Sequence, residues 1–243
     1  MELIQTVRKA LALLAEGGSQ TPWFQPDGSQ VVYGSPGWVL AMQNAGYAYI
    51  ANAGAQSTPI TFAGAFDATA PDAYFYVPNG VTILPYEIEV IYEAVGTEST
   101  MEIMALASPE GDSSATGTAA TVANKRVGHS NDHGLTVTGA IDAAGITDPN
   151  VTGAFTFWRK QRPLTDTVAT GENDRNELNW RYSYKDDGPP PLIIGSAAGT
   201  LGSAAAGASL SVYAASQAGT GFIICEALVF PPTVAELLFG ATP

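Results

Sequence analysis

The chain has 243 residues, 46% of them hydrophobic and only 14% charged, and its ten basic against twenty-three acidic residues leave a formal net charge of -13. That balance lacks the electrostatic footprint of a nucleic-acid-binding surface and sets the chain against anionic membranes. The single cysteine, Cys225, excludes an intramolecular disulfide framework; inside the apolar run Phe222 to Phe230 it reads as a buried, inert thiol.

With so few charges, the surface must be built largely from Gly, Ala, Ser, Thr, Asn and Gln, which suits an assembly or an extracellular particle better than a cytosolic enzyme. No apolar stretch reaches the ~18–20 residues of a membrane-spanning helix, so no membrane insertion is expected. Arg8 and Lys9 precede an apolar piece, Ala10 to Ala15, that is shorter than the ~7–15 residues of a signal-peptide core. No export signal is recognised.

In chain order, Glu2 to Glu16 reads as a helix. Leu3, Val7, Ala10, Leu11 and Leu14 fall on one stripe at helical spacing, and Gly17-Gly18 end it. Such a helix either packs on its own domain or docks on another subunit; its place ahead of a Gly/Ser/Gln/Pro connector favours an anchor, with Leu3, Val7, Leu11 and Leu14 as contacts. Residues 1–18 are therefore assigned as the anchor, 19–59 as a turn-rich connector with the first short strands, and 60–243 as the β domain.

Pro22, Pro26-Asp27-Gly28, Gly34 and Pro36-Gly37 punctuate the connector, with strands expected at Gln30 to Tyr33, Trp38 to Met42 and Tyr47 to Ala51. Ile60 to Phe62 and Ala73 to Val77 follow. The clearest strand is Tyr86 to Tyr92: Ile88, Val90 and Tyr92 alternate with Glu87, Glu89, Ile91 and Glu93, one face for a core and one for water. Met101 to Ala107 comes after a short polar turn, so the pair reads as a hairpin. Pro109 to Ala123 is small, polar and aperiodic, and is expected as a long surface loop.

Further strands are expected at Leu135 to Thr138, Ala154 to Arg159, Leu178 to Tyr184, Leu192 to Gly195, Leu210 to Ala214 and Phe222 to Phe230, with a short helical turn over Thr233 to Phe239. Many short strands and little helix specify an all-β, antiparallel sandwich or barrel.

Two separated pieces carry a resemblance. Leu192-Ile193-Ile194-Gly195, a Gly/Ala/Ser-rich stretch, then Gly221 to Phe230 and the Glu236-containing segment Thr233 to Leu238 resemble the close of laminin-G-like and concanavalin-A-like jelly-roll domains. Ile60 to Gly64, Tyr74 to Pro78 and Tyr86 to Tyr92 are similar to that family's first strands. The resemblance covers about a third of the chain and implies a jelly-roll β-sandwich; the trimeric tumour-necrosis-factor-like jelly roll of virus particles gives similar strands and is the alternative.

The family includes glucan hydrolases, which makes the acidic strand a candidate catalytic one. Strand rise puts Glu87 and Glu89 ~6.6 Å apart along the backbone, against about 5–5.5 Å between carboxyls for a retaining pair and about 6.5–9.5 Å for an inverting one. Glu93 lies too far, the family's middle Asp is absent, and no tryptophan is close in sequence. A solvated strand face is the better reading. Trp158-Arg159 and Trp180-Arg181 are the candidate sugar-stacking residues, with core packing as their other use. Glu172, Asp174 and Glu177 lie in an oxygen-rich run that suits a calcium ion, without the spacing of a calcium loop. His129 to His133 offers two histidines and Asp132 in turn sequence, where a polar loop is the default over a metal site.

These readings converge on a non-enzymatic virion structural protein, from the head or tail of a tailed phage, anchored partly by its N-terminal helix. Its expected partners are other virion proteins and copies of itself, as a homo-oligomer with a trimer preferred. A lectin-like module binding cell-surface glycan is the alternative, and a glycan hydrolase the third reading.

Overall fold

The computed structural model describes residues 36–55, 58–95, 100–130, 134–141, 145–163, 179–197, 207–215, 219–231 and 234. The expected helix over Glu2–Glu16, the strand at Gln30–Tyr33 and nearly all of Thr233–Phe239 lie outside these residues; Val234 is helical.

The fold is an all-β sandwich of two antiparallel sheets. One sheet has seven strands, in the order β10 (Asn179–Ser183), β4 (Thr82–Val95), β13 (Gly219–Phe230), β1 (Ala48–Ala53) and β7 (Thr121–Asn124), with β11 (Ile193–Ile194) beside β4 and β2 (Ile60–Phe62) beside β13. The other has six: β6 (Thr118–Ala119), β8 (Thr136–Gly139), β3 (Ala73–Pro78), β12 (Gly207–Ala215), β5 (Thr100–Ser108) and β9 (Phe155–Pro163). Because β1 lies between β13 and β7, the sandwich reaches back into the segment read as connector.

No two consecutive strands among those described are paired with each other. This corrects the expected hairpin: β4 belongs to the seven-stranded sheet and β5 to the six-stranded one. A polar turn between two strands marks a reversal of the chain, and a reversal between sheets leaves the same trace as one within a sheet.

Two further expectations are corrected. Trp38–Met42 is not a strand but part of helix α1, Pro36–Asn44. Proline suits a first helical position, and Gly46, at φ 87°, ends the helix with its amide donating to Gln43 O at 2.9 Å. The 109–123 stretch is not simply a surface loop. Asp112 is buried within it, and β6 and β7 form at its end.

The sandwich core takes alternate residues of both sheets: Ile88, Val90, Ile223, Cys225 and Val229 from one face, Phe75, Val77, Ile103, Leu210 and Val212 from the other. Burial pushes the Cys225 thiol up, which keeps it protonated and inert. A bulge in β4 opposite Glu226/Ala227 inserts Tyr86 and reverses the phase. Leu84 and Tyr86 thereby point outward, where they pack with Leu228, Phe230, Ala48 and Met42 of α1. The outer face of the six-stranded sheet is covered at β3, where Tyr74 and Tyr76 pack with Ile141 and Ile146. Part of the seven-stranded sheet keeps an open outer face among the described residues.

Candidate functional site

That open face begins where α1 stops covering the sheet. The alternation that buries Ile88, Val90 and Tyr92 turns Glu87, Glu89 and Ile91 outward, and Glu93 is exposed. On β13 the same alternation turns out Phe222, Ile224 and Glu226. Register sets Glu226 opposite Glu87, and Ile224 opposite Glu89.

Two like charges facing each other across strands repel. Each is matched from the far side: Arg181 of β10 lies 2.7 Å from Glu87, and Lys125, just past β7, lies 2.6 Å from Glu226. The result is a row of charges across the sheet, positive, negative, negative, positive. Glu89 accepts a hydrogen bond from Asn179 Nδ2 at 2.6 Å. Lys125 Nζ also lies 3.3 Å from the Tyr86 hydroxyl, whose ionisation is pushed up by burial and then by the Glu226 charge. Near the other end of the face, Ile91 lies opposite Phe222 with Glu89 and Glu93 on either side along β4. Phe222 seats against Gly54, where φ is 97° and a Cβ would stand 2.8 Å from the ring.

The sugar-stacking expectation is not assembled. Trp158 and Trp180 are 3% and 7% exposed and lie in the core between the sheets. Their arginine neighbours point away on opposite outer faces, Arg159 pairing with Glu102 and Arg181 with Glu87. The packing role of the tryptophans is the one found.

Leu3, Val7, Leu11 and Leu14 lie outside the described residues, as do Glu172, Asp174 and Glu177 of the calcium-like run, and Asp132 and His133. Among the described residues no group of three or more His, Cys, Asp or Glu is placed to hold a metal ion, and no helix is long and apolar enough to cross a membrane. His129 is exposed, with its ring against Gly46.

Sequence reasoning missed Glu226, Lys125 and Asn179 as partners in the face. Glu226 had a signal, because it alternates with Cys225 and Ala227 in an otherwise apolar strand. It also missed Asp72. This carboxyl is 2% exposed and accepts from Ala63 N at 2.8 Å and Ala214 N at 2.6 Å. Burial outweighs those amides and pushes it up to about 6. It ties the segment after β2 to the end of β12, and Tyr92 Oη completes the junction by donating to Ala214 O at 2.7 Å.

No known family model, curated protein or solved structure matches this chain.

Proposed function

We propose that this chain is a non-enzymatic structural protein of a virus particle, carried on its head or tail, which displays a β-sandwich and assembles with copies of itself. The observation that carries the reading is the matching of charges on the open face. Glu87 and Glu226 are each held by a cation and Glu89 by an amide. Carboxylates paired in a cross-sheet row are accounted for by a structural role without any catalysis, which favours a non-enzymatic reading. The burial of both sandwich tryptophans supports the same reading, since they close a core instead of lining a sugar site.

Light scattering on the full chain, and on one lacking residues 1–18, tests the reading. A full chain that forms a defined oligomer, and a truncated chain that is a folded smaller species, are the expected results. A monomer at every concentration would overturn it.

A glycan-binding module is the second reading, favoured by Asn179, Arg181 and Glu89 standing together at the β10 edge, where amide, guanidinium and carboxylate suit sugar hydroxyls. Retention on a glycan array without turnover, abolished by Arg181→Ala, would establish it. Turnover lost in Glu87→Gln or Glu89→Gln would replace both readings with a hydrolase.

A further inference from the structure

In a chain of net charge -13, the loop following β7 is an exception. It reads Lys125-Arg126-Val127-Gly128-His129, and Val127 at its tip is 98% exposed. The tip is held in shape. Buried Asn124 accepts from Arg126 N at 2.8 Å, donates to Gly46 O at 2.7 Å and to Ser130 O at 3.3 Å, and so closes both ends of the loop. His129 N donates to Arg126 O at 3.0 Å, and the His129 ring rests on Gly46. A bare valine beside an exposed arginine, on a loop pinned by a buried asparagine, is a preorganised contact.

A complementary surface exists on the same molecule. The half-buried pair Ile91 and Phe222 offers apolar surface, and exposed Glu93, the unpaired residue of a second bulge in β4, lies two residues along from Ile91. One copy cannot close this contact on itself. The tip lies near the Glu87–Glu226 row, and the Ile91–Phe222 patch is four residues farther along the strands, ~13 Å at strand rise, and two to three strands across from β7, ~10–15 Å.

We propose that the 125–130 loop of one copy docks on the open sheet face of a second copy, with Val127 against Ile91 and Phe222 and Arg126 against Glu93. The contact is head-to-tail, so repeated copies close a ring or extend a filament according to the rotation between them. It rests on the assembly reading above and names the surfaces that perform it.

The test is a charge-swap cycle in the full chain, read as oligomer mass against concentration. Arg126→Glu alone and Glu93→Arg alone should each raise the dissociation constant about tenfold or more, since each sets like charges together at the contact. The double variant should recover to within about threefold of the parent. Val127→Asp should abolish the oligomer, and raised salt should weaken it. All three positions are exposed, and an unchanged circular dichroism spectrum and Tm establish that each variant folds. If the parent assembles and the single reversals leave its mass curve unmoved, the proposed contact is wrong while the assembly reading stands. If the parent is a monomer throughout, both fall. Singles that weaken assembly without rescue in the double would also overturn the Arg126–Glu93 pairing.

Discussion

The two long sides of the sandwich are closed by different means. On one side a single stretch of backbone supplies both edges: β6 borders the six-stranded sheet, β7 borders the seven-stranded one, and only Ala120 lies between them. Ala120 N donates to Val137 O at 3.0 Å, so the crossing residue is itself hydrogen-bonded. On the other side β9 and β10 are the edges, and side chains close the gap. Phe157 and Trp158 of β9 meet Tyr182 of β10 across the gap at ring separations of 5.3 and 6.1 Å, and Trp180 packs on Tyr92 of its own sheet at 5.4 Å. At the rim Lys160 pairs with Asp187 at 2.7 Å. A stitched side depends on backbone continuity and tolerates small residues; a clasped side needs large rings. This accounts for the use of Trp158, which with Phe157 and Tyr182 forms the clasp.

The largest effect should come from opening that clasp. Tyr182 is 1% exposed, and Tyr182→Ala should destabilise the domain by ~3–5 kcal/mol, measured by denaturant unfolding. Trp158→Ala should do the same. Trp158→Phe is the informative control: the indole N–H has no acceptor among the described residues, so keeping a ring and removing that donor should cost less than ~1.5 kcal/mol. A Trp158→Phe cost equal to that of Trp158→Ala would show that the indole, and not aromatic bulk, is what the site requires.

Acid should act on the two sides with opposite sign. Asp72, beside β8 on the stitched half, has amide donors and no cation among the described residues, and burial pushes it up to about 6. Ionising it is harder in the fold than in the unfolded chain, so its contribution is full below about 4 and is lost as pH rises through about 6. Asp187, on the clasped side, is pushed up by burial, but Lys160 and the Ser183 amide outweigh this and hold it below the usual carboxylate range. Its contribution is present above about 4 and is lost as pH falls through its own lower value. Between pH 7 and pH 5 the unfolding free energy should therefore rise through Asp72 by about 1 kcal/mol, and Asp72→Asn should flatten that slope whatever it does to absolute stability. A slope that survives Asp72→Asn would assign it to another group.

Much of this architecture was legible in the chain and its closure was not. Period-two patterns placed β4 and β13 closely, because burying one face of a strand is a local demand; Ile88, Val90 and Tyr92 are inside and Glu87, Glu89 and Glu93 are outside. Pairing is a different matter. Every neighbour of β4 is distant in sequence, so neither the Glu87–Arg181 nor the Glu226–Lys125 contact leaves a local trace, and the supposed hairpin with β5 was the error that local reading invites. Trp38–Met42 failed for a related reason: a short apolar run has no period of its own, and a proline start and a glycine stop decided for helix. The same non-local pairing of all described strands predicts slow folding for a domain of this size.

The rim of the clasp should matter least. Lys160 and Asp187 are 46% and 18% exposed at their side chains, and solvent screens a pair of that kind. Lys160→Ala should cost no more than ~1 kcal/mol, several-fold less than Tyr182→Ala a few ångströms inward. Asp187 does a second job, since its other oxygen accepts from Ser183 N at 3.1 Å and so holds the turn that leaves β10. Asp187→Ala should thus exceed Lys160→Ala, and the excess should persist at high salt, where the ion pair is screened and the amide bond is not. Equal costs in the two variants would mean that the turn is set by its backbone alone, and that the clasp owes its strength to the rings.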